Sequence, residues 1–117
     1  MVTGRIASLV SYRRLPSLRL VWVRGPSMVP TLTDGDVVVV LINGKVRRGD
    51  VVLARFRSMP QRWVLKRAER CDGDGWLLAS DNPFAGGDSA THGLADVSGR
   101  VLLRVHGRRI SRPRRVI

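Results

Sequence analysis

Ser27 lies between Pro26 and Pro30 in the run Arg24-Gly25-Pro26-Ser27-Met28-Val29-Pro30-Thr31-Leu32, and a lysine, Lys66, follows downstream in Val64-Leu65-Lys66-Arg67. Two prolines so close to a serine fix the backbone and keep nearby amides out of a helix or ladder, so the spacing predicts a rigid turn that presents the hydroxyl. A serine hydroxyl is a poor nucleophile until a base takes its proton, and a lysine serves as that base only where its ammonium form is disfavoured. Trp63, Val64 and Leu65 precede Lys66, and apolar surroundings would lower the amine's pKa by desolvation. Lysine is scarce: only Lys45 and Lys66 occur among 21 Lys and Arg residues. Arginine could not substitute, because it keeps its proton at usable pH.

These residues resemble the Ser-Lys peptidases of the signal peptidase I and LexA-type clan, where a Ser-Met-x-Pro-Thr-Leu box carries the nucleophile and a later Lys-Arg box the base. Ser80-Asp81-Asn82-Pro83, then Asp88-Ser89 and Gly93, are similar to the third box of signal peptidases, Gly-Asp-Asn followed by Asp-Ser-Arg and a glycine. Matching segments run from about Val21 to Val105. The resemblance implies that Ser27 attacks a peptide carbonyl, that Lys66 takes its proton and returns it to the leaving amine, and that water hydrolyses the acyl-enzyme. The Ser27 backbone amide would be the first oxyanion donor. Gly25 stands where many signal peptidases add a hydroxyl, so a second donor must come from elsewhere, such as the Met28 amide. The Met28 side chain reads as an apolar floor. Asp81 and Asn82 would shape the start of a supporting loop, and Asp88 and Ser89 would tie it down near Lys66. Two positions depart from the family: its lysine-orienting serine falls on Gly86 and its arginine on Ala90. The short, anchor-poor members similar to this chain are the nickel-type superoxide dismutase maturation proteases, which trim a precursor's N-terminal extension. A substrate strand would then pair beside residues 25–27 by β-augmentation.

The elements that must position these groups read as strands. Segments rich in β-branched residues alternate with turn clusters, which predicts a mainly β domain of short strands; the resemblance implies a compact signal-peptidase/LexA-like β fold, mostly antiparallel. Expected strands are Leu20 to Val23, Asp36 to Ile42, Asp50 to Arg55, Arg62 to Glu69, Trp76 to Ala79 and Gly99 to Val105. Asp72-Gly73-Asp74-Gly75 suits a hairpin turn between the fourth and fifth. The apolar run Val37 to Ile42 reads as a buried strand and is far short of the roughly twenty residues of a spanning helix. The 117 residues suit one domain. Its peptidase part is expected at 20–106, between a basic N-terminal arm (1–19) and a basic C-terminal tail (107–117). A weak helical pattern falls near Ile6 to Leu15.

Hydrophobic residues at 44% and aromatics at 5% fit a globular core of Val and Leu. One cysteine, Cys71, excludes an internal disulfide and a cysteine metal cage. His92 and His106 lack the spacing of a metalloprotease pair, and no glycine cluster is followed by the Lys-Ser or Lys-Thr of a phosphate loop. No metal or other cofactor is expected. The net charge of +12 favours anionic partners. The arginines are spread from Arg5 to Arg115 rather than clustered, so nucleic acid is not expected as a partner. A basic, partly apolar N-terminal segment can touch an anionic membrane surface. The resulting expectation is a cytoplasmic or peripherally membrane-associated serine endopeptidase acting on a protein precursor. Signal peptidase-like processing of exported proteins at a membrane is an alternative. So is a non-catalytic basic β-barrel that binds nucleic acid or protein, or a degenerate peptidase that binds its former substrate.

Overall fold

The computed structural model describes residues 17–85 and 87–113. Seven strands form one antiparallel sheet: β1 Ser17–Trp22, β2 Val37–Ile42, β3 Val51–Phe56, β4 Val64–Asp72, β5 Gly75–Ala79, β6 Ala95–His106 and β7 Arg109–Ser111. A four-residue helix, α1 (Ser89–His92), precedes β6. The spatial order is β1-β2-β6-β3-β4-β5, with β7 on the far end of β6. Trp76 of β5 also pairs with Ala95 of β6, so strands β6, β3, β4 and β5 curl back on themselves.

The core explains why β3 is apolar along nearly its whole length. Successive side chains of a strand point to opposite faces. Val51 and Leu53 pack into one cluster with Val21, Val38, Val40 and Val101, while Val52, Ala54 and Phe56 pack into a second with Ala68, Leu78 and Ala95. β3 is thus buried on both sides. β2 is not: Val38 and Val40 are fully buried, whereas Val37, Val39 and Leu41 are only half-buried. The expectation that this run is a buried strand therefore holds for one face. Each fully buried valine contributes about 1.5–3 kcal/mol by leaving water. On the outer face Leu18, Leu20 and Trp22 of β1 stand opposite Leu41, Val39 and Val37, and these three β1 residues are half or more exposed.

Expected and observed strands differ mainly at their ends. β1 starts at Ser17 rather than Leu20, β6 starts at Ala95 rather than Gly99, and β7 lies in the stretch read as a basic tail. β6 passes through Gly99 because it runs close against β2 there. A Cβ on Gly99 would sit 2.4 Å from the Leu41 carbonyl oxygen and 2.9 Å from Val40 Cγ1, closer than side-chain carbons pack. The β4–β5 hairpin forms as the sequence suggests, with Asp72 opposite Gly75. The helical pattern near Ile6 to Leu15 lies outside the described residues, and no helix among those described is long and apolar enough to cross a membrane.

Candidate active site

The segment between β1 and β2 carries Ser27 and is closed at its base by two backbone bonds, Val23 N–H to the Asp36 carbonyl (2.8 Å) and Gly35 N–H to the Val23 carbonyl (2.9 Å). Gly25 takes φ 80°, a left-handed conformation that glycine enters without steric cost. Its N–H donates to Asp34 Oδ1 at 2.7 Å. Val29 N–H then bonds to the Pro26 carbonyl (3.1 Å) and Leu32 N–H to the Met28 carbonyl (2.8 Å), which coils the chain after the serine. Met28 and Leu32 are buried in the first core cluster. Met28, read from the sequence as an apolar floor, lies in that core, and Ser27 beside it is half-buried.

Lys66 comes from β4, opposite Val52 of β3, and is 5% exposed. Burial lowers its pKa from the ordinary 10.5; the carboxylate of Asp88 opposes that shift and the guanidinium of Arg62 adds to it. Its Nζ donates to Ser80 Oγ at 2.8 Å. Ser27 and Lys66 line one groove of about 810 Å³, whose walls include Trp22, Phe56, Met59 and Trp63. Gly87 is on its rim, where an added Cβ would lie 3.5 Å from Lys66 Nζ. The structure therefore brings the expected nucleophile and base to one concave apolar site, the kind of place where a desolvated lysine can act.

The expected supporting residues do not line this groove but bond to segments around it. Asn82 clamps the segment that carries Ser27: its N–H donates to the Ser27 carbonyl (2.9 Å) and its Nδ2 to the Pro26 carbonyl (3.0 Å). Asp81 accepts from Arg67 Nε (3.1 Å) and Nη2 (2.5 Å) and also from the Thr31 hydroxyl. Arg67 Nη2 donates to Thr31 Oγ1 (3.2 Å) and Nη1 to the Gly49 carbonyl (2.9 Å). Asp88 caps α1 by accepting from Ala90 N–H. Ser89 Oγ accepts from Leu78 N–H at 2.7 Å and fastens the loop to β5. Gly86, where the family's orienting serine would fall, lies outside the described residues.

Sequence reasoning gave no role to Ser80, Arg67 or Thr31. Their contacts left no local signal: the burial of Arg67, which calls for a carboxylate partner, is visible only in the structure, and the partner of Ser80 is set by the pairing of β4 with β5. Farther off, Asp36 is buried and accepts from Arg104 Nε (2.8 Å) and bonds His106 Nδ1. Burial alone would raise its pKa, but the bonds from His106, Thr33 and Arg104 outweigh that and lower it. Among the described residues no three His, Cys, Asp or Glu side chains gather to hold a metal ion.

Comparison with known proteins fits this geometry. The model of the Peptidase S24-like family matches residues 6–102. The chain is 42% identical over 74 residues to the mitochondrial ATP-independent inner membrane protease subunit 1a of Arabidopsis thaliana, covering 59% of this chain and 44% of that protein. It is 34% identical over 64 residues to the human mitochondrial inner membrane protease subunit 1, covering 51% of this chain and 39% of that one. The chain thus spans less than half the length of these relatives.

Proposed function

The chain belongs to the Peptidase S24-like family, and on that premise we propose that it is a serine endopeptidase in which Ser27 is the nucleophile and Lys66 the general base. The observation that carries this reading is the placement of Ser27 and a buried Lys66 of lowered pKa on one groove. In the reaction, Ser27 Oγ bonds to the scissile carbonyl carbon while its proton passes to Lys66 Nζ. The tetrahedral oxyanion is met by the backbone amides of Ser27 and Met28. Collapse breaks the C–N bond, with Lys66 returning the proton to the leaving amine. Water, deprotonated by the same amine, then releases the acyl group and regenerates Ser27.

The substrate class we propose is the N-terminal extension of a protein precursor, a nickel superoxide dismutase precursor being the first to test. The substrate pairs as a strand beside residues 25–27, which line the groove. One observation favours a second setting, processing at a membrane surface: the exposed row Leu18, Leu20 and Trp22 leads along β1 to the groove, and both relatives are named as inner membrane proteases. The experiment is incubation of wild type, Ser27→Ala and Lys66→Ala with precursor peptides, with and without anionic vesicles, read by mass spectrometry. Cleavage by wild type alone supports the assignment and gives the bond. Cleavage that survives Ser27→Ala refutes it, and cleavage that needs vesicles selects the membrane setting.

A further inference from the structure

Lys66 has its amine inside the protein and its base role, on the reading above, requires that amine to hold a fixed direction toward Ser27. A lysine side chain has four rotatable bonds, and a neutral amine has two N–H donors and one lone pair. To aim the lone pair at the nucleophile, the N–H groups must be occupied elsewhere. Ser80 Oγ stands 2.8 Å from Nζ and accepts from it. It is placed from the opposite side of the β4–β5 hairpin, at the first residue after β5, where Arg67 pairs with Ala79 in the strand register.

We propose that Ser80 is the positioning residue for Lys66, holding its amine by one N–H and leaving the lone pair for the Ser27 proton. The role rests on the peptidase reading above, but the contact itself can be tested without turnover. The sequence element is also specific. Ser80 opens the Ser-Asp-Asn run, where the resemblance would place a glycine, and the loop position that would carry the family's orienting serine is Gly86. An orienting hydroxyl is thus supplied from the strand end. A hydroxyl suits the task better than a carboxylate, which would stabilise the ammonium and hold the proton on the base. The charged groups acting on Lys66 are Asp88 from the loop before α1 and Arg62 from the segment entering β4, and both remain in place when Ser80 is changed.

Because Lys45 and Lys66 are the only lysines, lysine-selective ¹³C labelling gives two side-chain signals in the full chain, assigned with Lys45→Arg. Their pH titration is followed in wild type, Ser80→Ala and Ser80→Thr, beside kcat and KM on whichever precursor peptide the wild type cleaves. Loss of an acceptor disfavours the ammonium, so Ser80→Ala moves the Lys66 midpoint down, leaves Lys45 unchanged, and lowers kcat by roughly tenfold to a hundredfold with little change in KM. Ser80→Thr, which keeps the Oγ, restores both. A Lys66 midpoint and kcat that are unchanged in Ser80→Ala overturn the proposal. So does an upward midpoint, because it would mean that Ser80 only keeps water away from the lysine. If wild type cleaves nothing, the peptidase reading fails, while the Lys66 titration still decides whether Ser80 holds the amine.

Discussion

Replacing Asp81 by alanine should be among the most damaging single changes outside the reacting groups. The Arg67 and Asp81 side chains are only 7% and 15% exposed, so the pair is shielded from the screening that makes surface ion pairs weak. Removing one partner of a buried pair costs about 3–5 kcal/mol, because the other charge stays buried without compensation. Arg67 would keep its bonds to the Gly49 carbonyl and to Thr31 Oγ1, which places the expectation at the low end, about 3 kcal/mol. For a domain whose total stability is about 5–15 kcal/mol, that loss is a large share. It corresponds to a fall in Tm of roughly 10 °C for a chain of this length. Urea denaturation of wild type, Asp81→Ala, Asp81→Asn and the double variant Arg67→Met/Asp81→Leu would measure it. Asp81→Asn retains an acceptor for Thr31 and Arg67 and should lose less. The double variant, which removes both charges, should be more stable than Asp81→Ala alone. An Asp81→Ala stability within about 0.5 kcal/mol of wild type, the range of ordinary surface substitutions, would refute the claim that this pair is a buried structural tie.

Lys66→Arg keeps a cation but cannot release its proton, so peptide cleavage should fall by roughly 10²–10⁴-fold, measured as kcat on the substrate wild type cleaves. The acid limb of kcat/KM should have its midpoint below the ordinary lysine value of 10.5, with activity gained as pH rises and the amine loses its proton; Arg62→Gln should move that limb up in pH and Asp88→Asn down. Gly99→Ala should destabilise by about 1–3 kcal/mol in urea, since its Cβ would press on the Leu41 backbone rather than on a movable side-chain end. Asp36, with its folded pKa lowered from 3.8, contributes stability that is present above pH 3.8 and lost as pH falls through the folded value. Asp36→Asn should therefore flatten the acid side of the stability–pH curve, and an acid limb identical to wild type would count against that attribution.

The strand pattern was legible where one face or both faces of a β-branched run meet the core. The strands expected at Asp36 to Ile42 and Asp50 to Arg55 were visible for that reason, although only the structure separates β2, with one wetted face, from β3, buried on both. β7 was not legible. Arg109-Ile110-Ser111 is exposed and flanked by arginines, and it becomes a strand only because β6 extends far enough to pair with it. Ser27 and Lys66 stood out in the sequence because a serine among prolines and a rare lysine after a tryptophan carry chemical cues locally. Their supports did not. Thr31 and Asp81 are far apart in the chain, and so are Arg67 and Gly49, so these bonds are products of topology rather than of any local pattern.

Two neighbouring residues on β4 meet two neighbouring residues after β5: Lys66 bonds Ser80 and Arg67 bonds Asp81. Adjacent side chains on a strand point to opposite faces, so the hairpin sorts the four groups into two separate contacts, one on the groove and one behind it. The arrangement has a chemical consequence. The arginine takes the carboxylate, and the lysine is left with a neutral acceptor that holds its proton less firmly than a carboxylate would. A slip of the pairing by one residue would exchange the partners, placing Asp81 against Lys66 and favouring the ammonium. The Arg67–Asp81 pair also fixes Asn82, the next residue, whose two bonds hold the backbone on either side of the Ser27 α-carbon. Thr31, from the nucleophile segment itself, joins the same pair. On the proposed reading, the ion pair behind the groove ties the segment that carries Ser27 to the strand that carries Lys66. Loosening it should lower catalysis even where every group that touches substrate is intact.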